Sequence, residues 1–249
     1  MTGWLAVAGL GPGADALTTP EVARALEAAT DVVGYAPYVA RVPERAGQAR
    51  HASDNRVELD RAREGLRMAA EGRRVVIVSS GDPGVFGMAA AVFEALEAEP
   101  AWREVDVCVL PGVTAMLAAA ARAGAPLGHD FCAINLSDNL KPWALIEKRL
   151  RLATEADFAV ALYNPRSKAR PEGFARAPAV LRQVCEPERP IIFARAVSTP
   201  DEQIDALRLR DAAPDMADMR TVVIVGSSRT RIIEGPGRSF VYTPRSVPA

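Results

Sequence analysis

Four apolar residues, Val75–Val78, run without a polar interruption straight into the loop Ser79-Ser80-Gly81-Asp82-Pro83-Gly84-Val85-Phe86-Gly87. A strand wetted on one face alternates apolar with polar residues, so a strand without alternation fits burial on both faces. Burial on both faces calls for helices above and below, the layering of an α/β protein. The pattern recurs at Leu5–Ala8, which enters Gly9-Leu10-Gly11-Pro12-Gly13; Val105–Leu110, interrupted by Asp106, reads as another strand and ends in Pro111-Gly112. Helical signals fall between these runs. Thr18 and Glu21 have capping-box spacing, with Pro20 near the first helical position, which predicts a helix through Leu26. Asp31–Gly34 reads as a second short strand. Leu59, Ala62, Leu66 and Ala69 or Ala70 form a helical stripe within Val57–Glu71, and an Ala-rich helix reaches about Ala98. Strand and helix alternate, which predicts a mainly parallel sheet.

Ala125-Pro126-Leu127-Gly128 reads as a hinge. Beyond it, strands are expected at Phe131–Leu136, Phe158–Tyr163, Ile191–Arg195 and Val222–Val225, with helices at about Pro142–Ala153 and Ala177–Val184. The tail reads as strand, turn, strand. Two α/β lobes are expected, residues 1–124 and 125–249.

A net charge of -1 argues against a nucleic-acid partner, whose phosphates call for a basic excess. Cys108, Cys132 and Cys185 are isolated in or beside apolar stretches, which predicts buried thiols in a reducing compartment. His51 and His129 are the only histidines, so no metal site is expected. His129 reads as a structural hydrogen-bonding group rather than a base. No leader segment is recognised at Met1, and no apolar run reaches the roughly 20 residues of a membrane span. A cytoplasmic protein is expected.

The loops are where chemistry is expected, because α/β sheets bind ligands at the carboxyl ends of their strands. Gly9–Gly13 invites comparison with a dinucleotide turn, and Asp31 lies at the distance of a ribose-binding acid. Two features oppose that reading. Pro12 removes an amide that would serve a phosphate, and the helix starts several residues late. Asp82 either fixes a negative charge beside exposed amides or simply caps the next helix. Thr114, in Pro111-Gly112-Val113-Thr114-Ala115, is a helix cap or a ligand hydroxyl. Tyr163-Asn164-Pro165-Arg166 ends a strand with an aromatic, which is either core or site. Two histidines and no nucleophile elbow leave no Ser/His/Asp set, and no P-loop lysine is present.

Taken in order, these motifs resemble the tetrapyrrole methyltransferases of cobalamin biosynthesis, over essentially the whole chain. GLGPG with Leu17-Thr18, SGDPGVFGMA and PGVTA are similar to that family's signatures. VVGYAPYV, GAPLGHDFCAINLSD with Pro142-Trp143, and ADFAVALYNPRSK resemble the branch that methylates C17 of precorrin-3B and contracts the macrocycle. Val197, in FARAVST, departs from the less apolar stretch expected there.

The resemblance implies S-adenosylmethionine, folded into a cleft between two α/β lobes, with S-adenosylhomocysteine as product. Pro12 would then shape the turn beside a cofactor that has no phosphate. Carried over by position, Gly81, Asp82 and Val85 would serve the methionine end, and Thr114 and Ala115 would lie beside the cofactor. Tyr163, Asn164, Ala194 and Thr221 would enclose the adenosine end. The implied substrate is a polycarboxylate macrocycle, for which Arg166, Lys168, Ser137, Asp138 and Lys141 are candidate partners. Tyr35 and Tyr38 would stack on or bond to its ring. A homodimer is implied as well. No residue is assigned to general base catalysis. The alternatives are a sibling enzyme acting at another ring carbon, the cobalt-bound form of the same reaction, a tetrapyrrole carrier, and a nicotinamide-dependent dehydrogenase.

Overall fold

The computed structural model describes residues 3–55, 57–166 and 173–246. The chain divides into two compact units, Met1–Thr114 and Ala115–Ala249. The sequence reading sets its boundary ten residues later, between Gly124 and Ala125. The helix in between, Ala115–Ala123, belongs with the second unit.

The first unit holds five strands: β1 (Trp4–Gly9), β2 (Asp31–Tyr35), β3 (Ala49–Ser53), β4 (Arg74–Ser79) and β5 (Asp106–Leu110). They form one sheet in the order β3-β2-β4-β1-β5, and every pairing is parallel. Its helices are α1 (Pro20–Ala28), α2 (Ala36–Val39), α3 (Glu58–Ala70) and α4 (Met88–Ala98). The continuous apolar runs are explained by two cores. Leu5, Val7, Val75 and Ile77 pack with Ala62 and Leu66 of α3 and Val92 of α4. Ala6, Ala8, Val76 and Val78 point the other way, against Val22 and Leu26 of α1. Successive residues of a strand point to opposite faces, so both sets are fully used.

The sequence places the cap of α1 one residue early. Thr19 is the cap, and its hydroxyl accepts from the Val22 N–H at 3.3 Å. Thr18 instead donates to the Leu10 carbonyl at 3.3 Å, tying the glycine turn to the start of the helix. β3, Ala49–Ser53, escapes the sequence reading because ARHAS has no apolar alternation; backbone pairing with β2 holds it. Cys108 is exposed on the edge strand β5, against the expectation of a buried thiol, while Cys185 is buried and Cys132 intermediate.

In the second unit, α5 (Ala115–Ala123) is followed by β6 (Gly124–Ala125), β7 (Phe131–Asn135), α6 (Trp143–Glu155), β8 (Ala159–Tyr163), α7 (Gly173–Val184), β9 (Pro190–Arg195), β10 (Gln203–Arg208), β11 (Thr221–Val225), β12 (Arg231–Gly235) and β13 (Arg238–Tyr242). A five-stranded sheet runs β10-β9-β11-β8-β7. Only β7 and β8 pair in parallel; the other neighbours are antiparallel. Ile146 and Leu150 of α6 and Phe174 and Leu181 of α7 pack on Leu162, Phe193 and Val223 of this sheet. The segment Ala125–Gly128, read as a hinge, is held within the second unit. β6 pairs with β13, and Thr243 donates its N–H to the Ala125 carbonyl at 3.0 Å and its hydroxyl to the Pro126 carbonyl at 2.6 Å.

Ile77 is fully buried between α3 and β1. Ile77→Ala is expected to lower the unfolding free energy by about 2–5 kcal/mol, read from the urea midpoint. Leu59→Ala on the wetted side of α3 is expected to change it by less than about 1 kcal/mol.

Candidate active site

In the parallel sheet of the first unit, the loops after β1, β4 and β5 leave from the same edge. The connection from β1 runs to β2 on one side, and the connection from β4 runs to β5 on the other. Adjacent strands with oppositely directed connections open a crevice at their carboxyl ends. Here the two loops are stitched across it. Leu10 donates its N–H to the Ser79 carbonyl at 2.9 Å, Gly11 to Gly81 at 3.2 Å, and Gly81 back to Gly11 at 2.9 Å.

Glycine is required at Gly9 and Gly112 because backbone meets backbone. A Cβ on Gly112 would lie 2.2 Å from the Gly81 carbonyl oxygen, and one on Gly9 would lie 2.6 Å from that same oxygen. Asp82 completes the junction. One carboxylate oxygen accepts from the Gly84 N–H at 2.8 Å, the other from the Gly112 N–H at 3.1 Å. The reading of Asp82 as a helix cap is therefore excluded: α4 begins after Gly87 with no side-chain cap.

This geometry argues against a phosphate site. A phosphate turn aims free amides at its ligand. Here the Leu10 and Gly11 amides are spent on carbonyls, Pro12 has none, and the turn's own carbonyls face a cation. The Arg41 guanidinium donates to Leu10, Gly11 and Gly13 carbonyls at 2.7, 3.1 and 3.2 Å. Asp31, the supposed ribose acid, stands at the start of β2, on the edge opposite the glycine loops. It is fully buried, and it is bonded by Thr30 at 2.7 Å, His51 at 2.8 Å and Arg73 at 2.5 Å. The dinucleotide reading fails on both counts.

Tyr35 ends β2 on the edge shared with the glycine loops, and Tyr38 follows it in α2. Their rings meet edge to face at 5.2 Å. Burial, then Tyr35, pushes the Tyr38 hydroxyl above its usual pKa, while Arg41 and Arg61 act in the opposite direction. Pro12 and Val85 are half-buried in their loops, and Thr114 is buried at the end of the third loop.

The second unit gathers the remaining candidates on one sheet edge. β9 and β8 are both antiparallel to β11, so their carboxyl ends and the start of β11 coincide. Tyr163, Asn164, Ala194 and Thr221 thus share an edge. Tyr163 is not simply core: its hydroxyl accepts from the Met116 N–H at 2.9 Å in the first turn of α5, which Ala115 opens. Asn164 takes a left-handed φ of 52° and donates to Asn135 at 3.1 Å; that same oxygen accepts from the Ser137 N–H at 2.9 Å. The Thr221 hydroxyl is engaged with Asp218 at 2.8 Å, and Ala194 is fully buried. Ala196 and Ser198, flanking the departure at Val197, also take left-handed φ of 50° and 65°, and Val197 is buried. Such outliers persist only where the surrounding structure over-determines them.

Asp138 is exposed, and Lys141 and Arg166 are half-buried. Burial, then Arg149, lowers the Lys141 pKa. Lys168 lies outside the described residues. His129 accepts the Asp130 N–H on Nδ1 at 2.8 Å. Arg41 was missed by the sequence reading, because backbone carbonyl partners leave no trace in a sequence.

The model of the tetrapyrrole (corrin/porphyrin) methylases matches residues 5–213. The chain belongs to this family. It is 57% identical to a "Precorrin-3B C(17)-methyltransferase" from Sinorhizobium sp, over 98% of this chain and 97% of that protein. A crystal structure of the methyltransferase CobJ superposes with a TM-score of 0.94 at 65% identity, covering 97% of this chain and all of that one. The fold is the family's α/β methylase fold. It is shared with a uroporphyrin-III C-methyltransferase of Thermus thermophilus complexed with S-adenosylhomocysteine (24% identity, TM-score 0.67, covering 90% of this chain and 97% of that one). Among the described residues, no group of three His, Cys, Asp or Glu side chains is placed to hold a metal ion.

Two predictions follow from these contacts. Gly112→Ala forces a methyl against the Gly81 carbonyl and is expected to cost about 1–3 kcal/mol or more, read from chemical denaturation. Asp218 orients Thr221. Burial alone would raise the Asp218 pKa, but bonds from Thr221, Arg195 and the Arg220 N–H outweigh it and hold the carboxyl below its usual range. A depressed carboxylate stabilises the fold above the unfolded value of about 3.9 and loses that contribution as pH falls through the folded value. Asp218→Asn is therefore expected to be less stable than the parent at pH 7, with the gap closing in the acid range below about pH 3.9.

Proposed function

We propose that this methylase transfers the methyl group of S-adenosylmethionine to C17 of precorrin-3B, with contraction of the macrocycle to precorrin-4, in cobalamin biosynthesis. The observation that carries this reading is the full-length match, at 57% identity, to a protein named for that reaction. The phosphate-free glycine junction supports the cofactor class.

The cofactor supplies a methyl group already activated on a sulfonium. The residues of this chain then have to hold the reactants in line and exclude water, and positioning is worth roughly 7–11 kcal/mol of barrier. In the first unit, Pro12, Gly81, Asp82, Val85 and Thr114 are the proposed cofactor contacts. Asp82 acts by holding the Gly84 and Gly112 amides, which fixes the backbone the methionine end would meet. In the second unit, Ala115, Tyr163, Asn164, Ala194 and Thr221 are proposed for the cofactor, and their engaged side chains favour backbone contacts to it. Tyr35 and Tyr38 are proposed to face the macrocycle. Ser137, Asp138, Lys141, Arg166 and Lys168 are proposed around its carboxylates, where Arg offers a planar fork and Lys a point charge. Among the described residues no helix is long and apolar enough to cross a membrane. A cytoplasmic homodimer is the form we propose, on the family resemblance.

The test is mass spectrometry of the tetrapyrrole after incubation with precorrin-3B and methyl-labelled S-adenosylmethionine. One labelled methyl at C17 on a contracted ring is the expected result. A methyl at another carbon would move the assignment to a sibling reaction. Transfer only to a cobalt-bound ring would move it to the cobalt form. Macrocycle binding without methyl consumption would make the protein a carrier. Asp82→Ala is expected to weaken cofactor binding about tenfold or more, measured by calorimetry.

A further inference from the structure

Arg41 follows α2 and sends its guanidinium under the turn between β1 and α1. Three carbonyls of one short segment, those of Leu10, Gly11 and Gly13, converge on its NH1 and NH2 groups. Two of these carbonyls already have partners. The Leu10 carbonyl also accepts from the Thr18 hydroxyl, and the Gly11 carbonyl from the Gly81 N–H at 2.9 Å. The clamp is therefore not needed to rescue them from burial. It also has a cost. Burial pushes the guanidinium below its usual pKa, with Asp15 and Tyr38 pulling the other way, and a partly buried cation is expensive unless its bonds do something that a neutral residue could not. A planar fork gripping three oxygens fixes the shape of the turn. At its other end, Arg41 donates its backbone N–H to the Tyr38 carbonyl at 3.1 Å. One residue thus joins the Tyr35–Tyr38 segment to the Gly9–Gly13 turn.

We propose that Arg41 is a positioning residue of the methyl-transfer site, fixing the Leu10–Gly13 turn against the Tyr35–Tyr38 segment so that cofactor and macrocycle are seated by one element. The proposal rests on the function proposed above. It assigns Arg41 no contact with the reacting atoms.

The test compares Arg41→Ala and Arg41→Lys with Arg50→Ala in the full-length protein. Arg50 is the matched control. It also bonds to backbone carbonyls of this segment, those of Val39 and Val42, and no hydrogen bond joins it to the glycine turn. The readouts are the dissociation constant for S-adenosylhomocysteine, by calorimetry, and KM and kcat for methyl transfer. Both Arg41 variants are expected to weaken S-adenosylhomocysteine binding and raise KM for S-adenosylmethionine by about tenfold or more. Their kcat should fall less, since the lost interaction holds ground state and transition state alike. Arg50→Ala should leave both constants near the parent's. Arg41→Lys keeps the charge and most of the stem, so it stays readable even where the alanine variant folds poorly. Parent-like constants in Arg41→Lys would overturn the proposal, because charge alone would then suffice. So would equal losses in Arg50→Ala, which would make the effect general to the segment. If the unsubstituted protein bound no S-adenosylhomocysteine, the functional reading would fail and take the proposal with it. Normal binding by the parent and by both Arg41 variants would fail the proposal alone.

Discussion

The first unit depends on one close approach: the backbones of Gly9, Gly81 and Gly112 meet at the carboxyl edge of the sheet with no room for a Cβ between them. The helices and the two cores hold the strands that carry these loops. Once β1, β4 and β5 lie side by side in parallel, their loops must leave from one edge. Only glycines let them close on each other there. Asp82 then converts proximity into a fixed junction by accepting one amide from its own loop and one from the third. The turn that looks at first like a dinucleotide site has its amides turned inward and its carbonyls on Arg41. Its Leu10 and Gly11 amides are not free to serve a phosphate.

The second unit reaches a comparable edge by another route. Its sheet is mostly antiparallel, so strand ends and strand starts alternate along the edge. The chain accepts left-handed backbone at Asn164, Ala196 and Ser198 there. Side chains at this edge are largely committed to the protein itself: Tyr163 to α5, Asn164 to Asn135, Thr221 to Asp218.

How much of this was legible in the sequence follows from where each signal comes from. Val75–Val78 announced a strand buried on both faces because hydrophobic burial writes itself into residue type. The glycine loops announced themselves because close backbone approach excludes every other residue. β3 was not legible, since ARHAS carries no apolar pattern and backbone pairing with β2 holds it; β10 was missed although Ile204 and Ala206 alternate with Gln203 and Asp205, because so short a run does not stand out from a loop. Ala125–Gly128, which overlaps β6 at Ala125, was read as a hinge because the partner strand, β13, lies more than a hundred residues away. Thr18 and Thr19 are adjacent and chemically alike, and only the geometry of the turn decides which one caps α1. Asp31 matched a ribose acid only in spacing; its place at the opposite edge is a property of the sheet. Arg41 left no signature, because carbonyl acceptors belong to every residue.

The most direct test of this account is a crystal structure with S-adenosylhomocysteine bound. The account predicts the methionine end of the ligand on the backbone of Gly81, Asp82 and Val85, with the Leu10 and Gly11 amides still bonded to Ser79 and Gly81. A ligand bound away from these loops would contradict it. So would a turn that opens to present those amides.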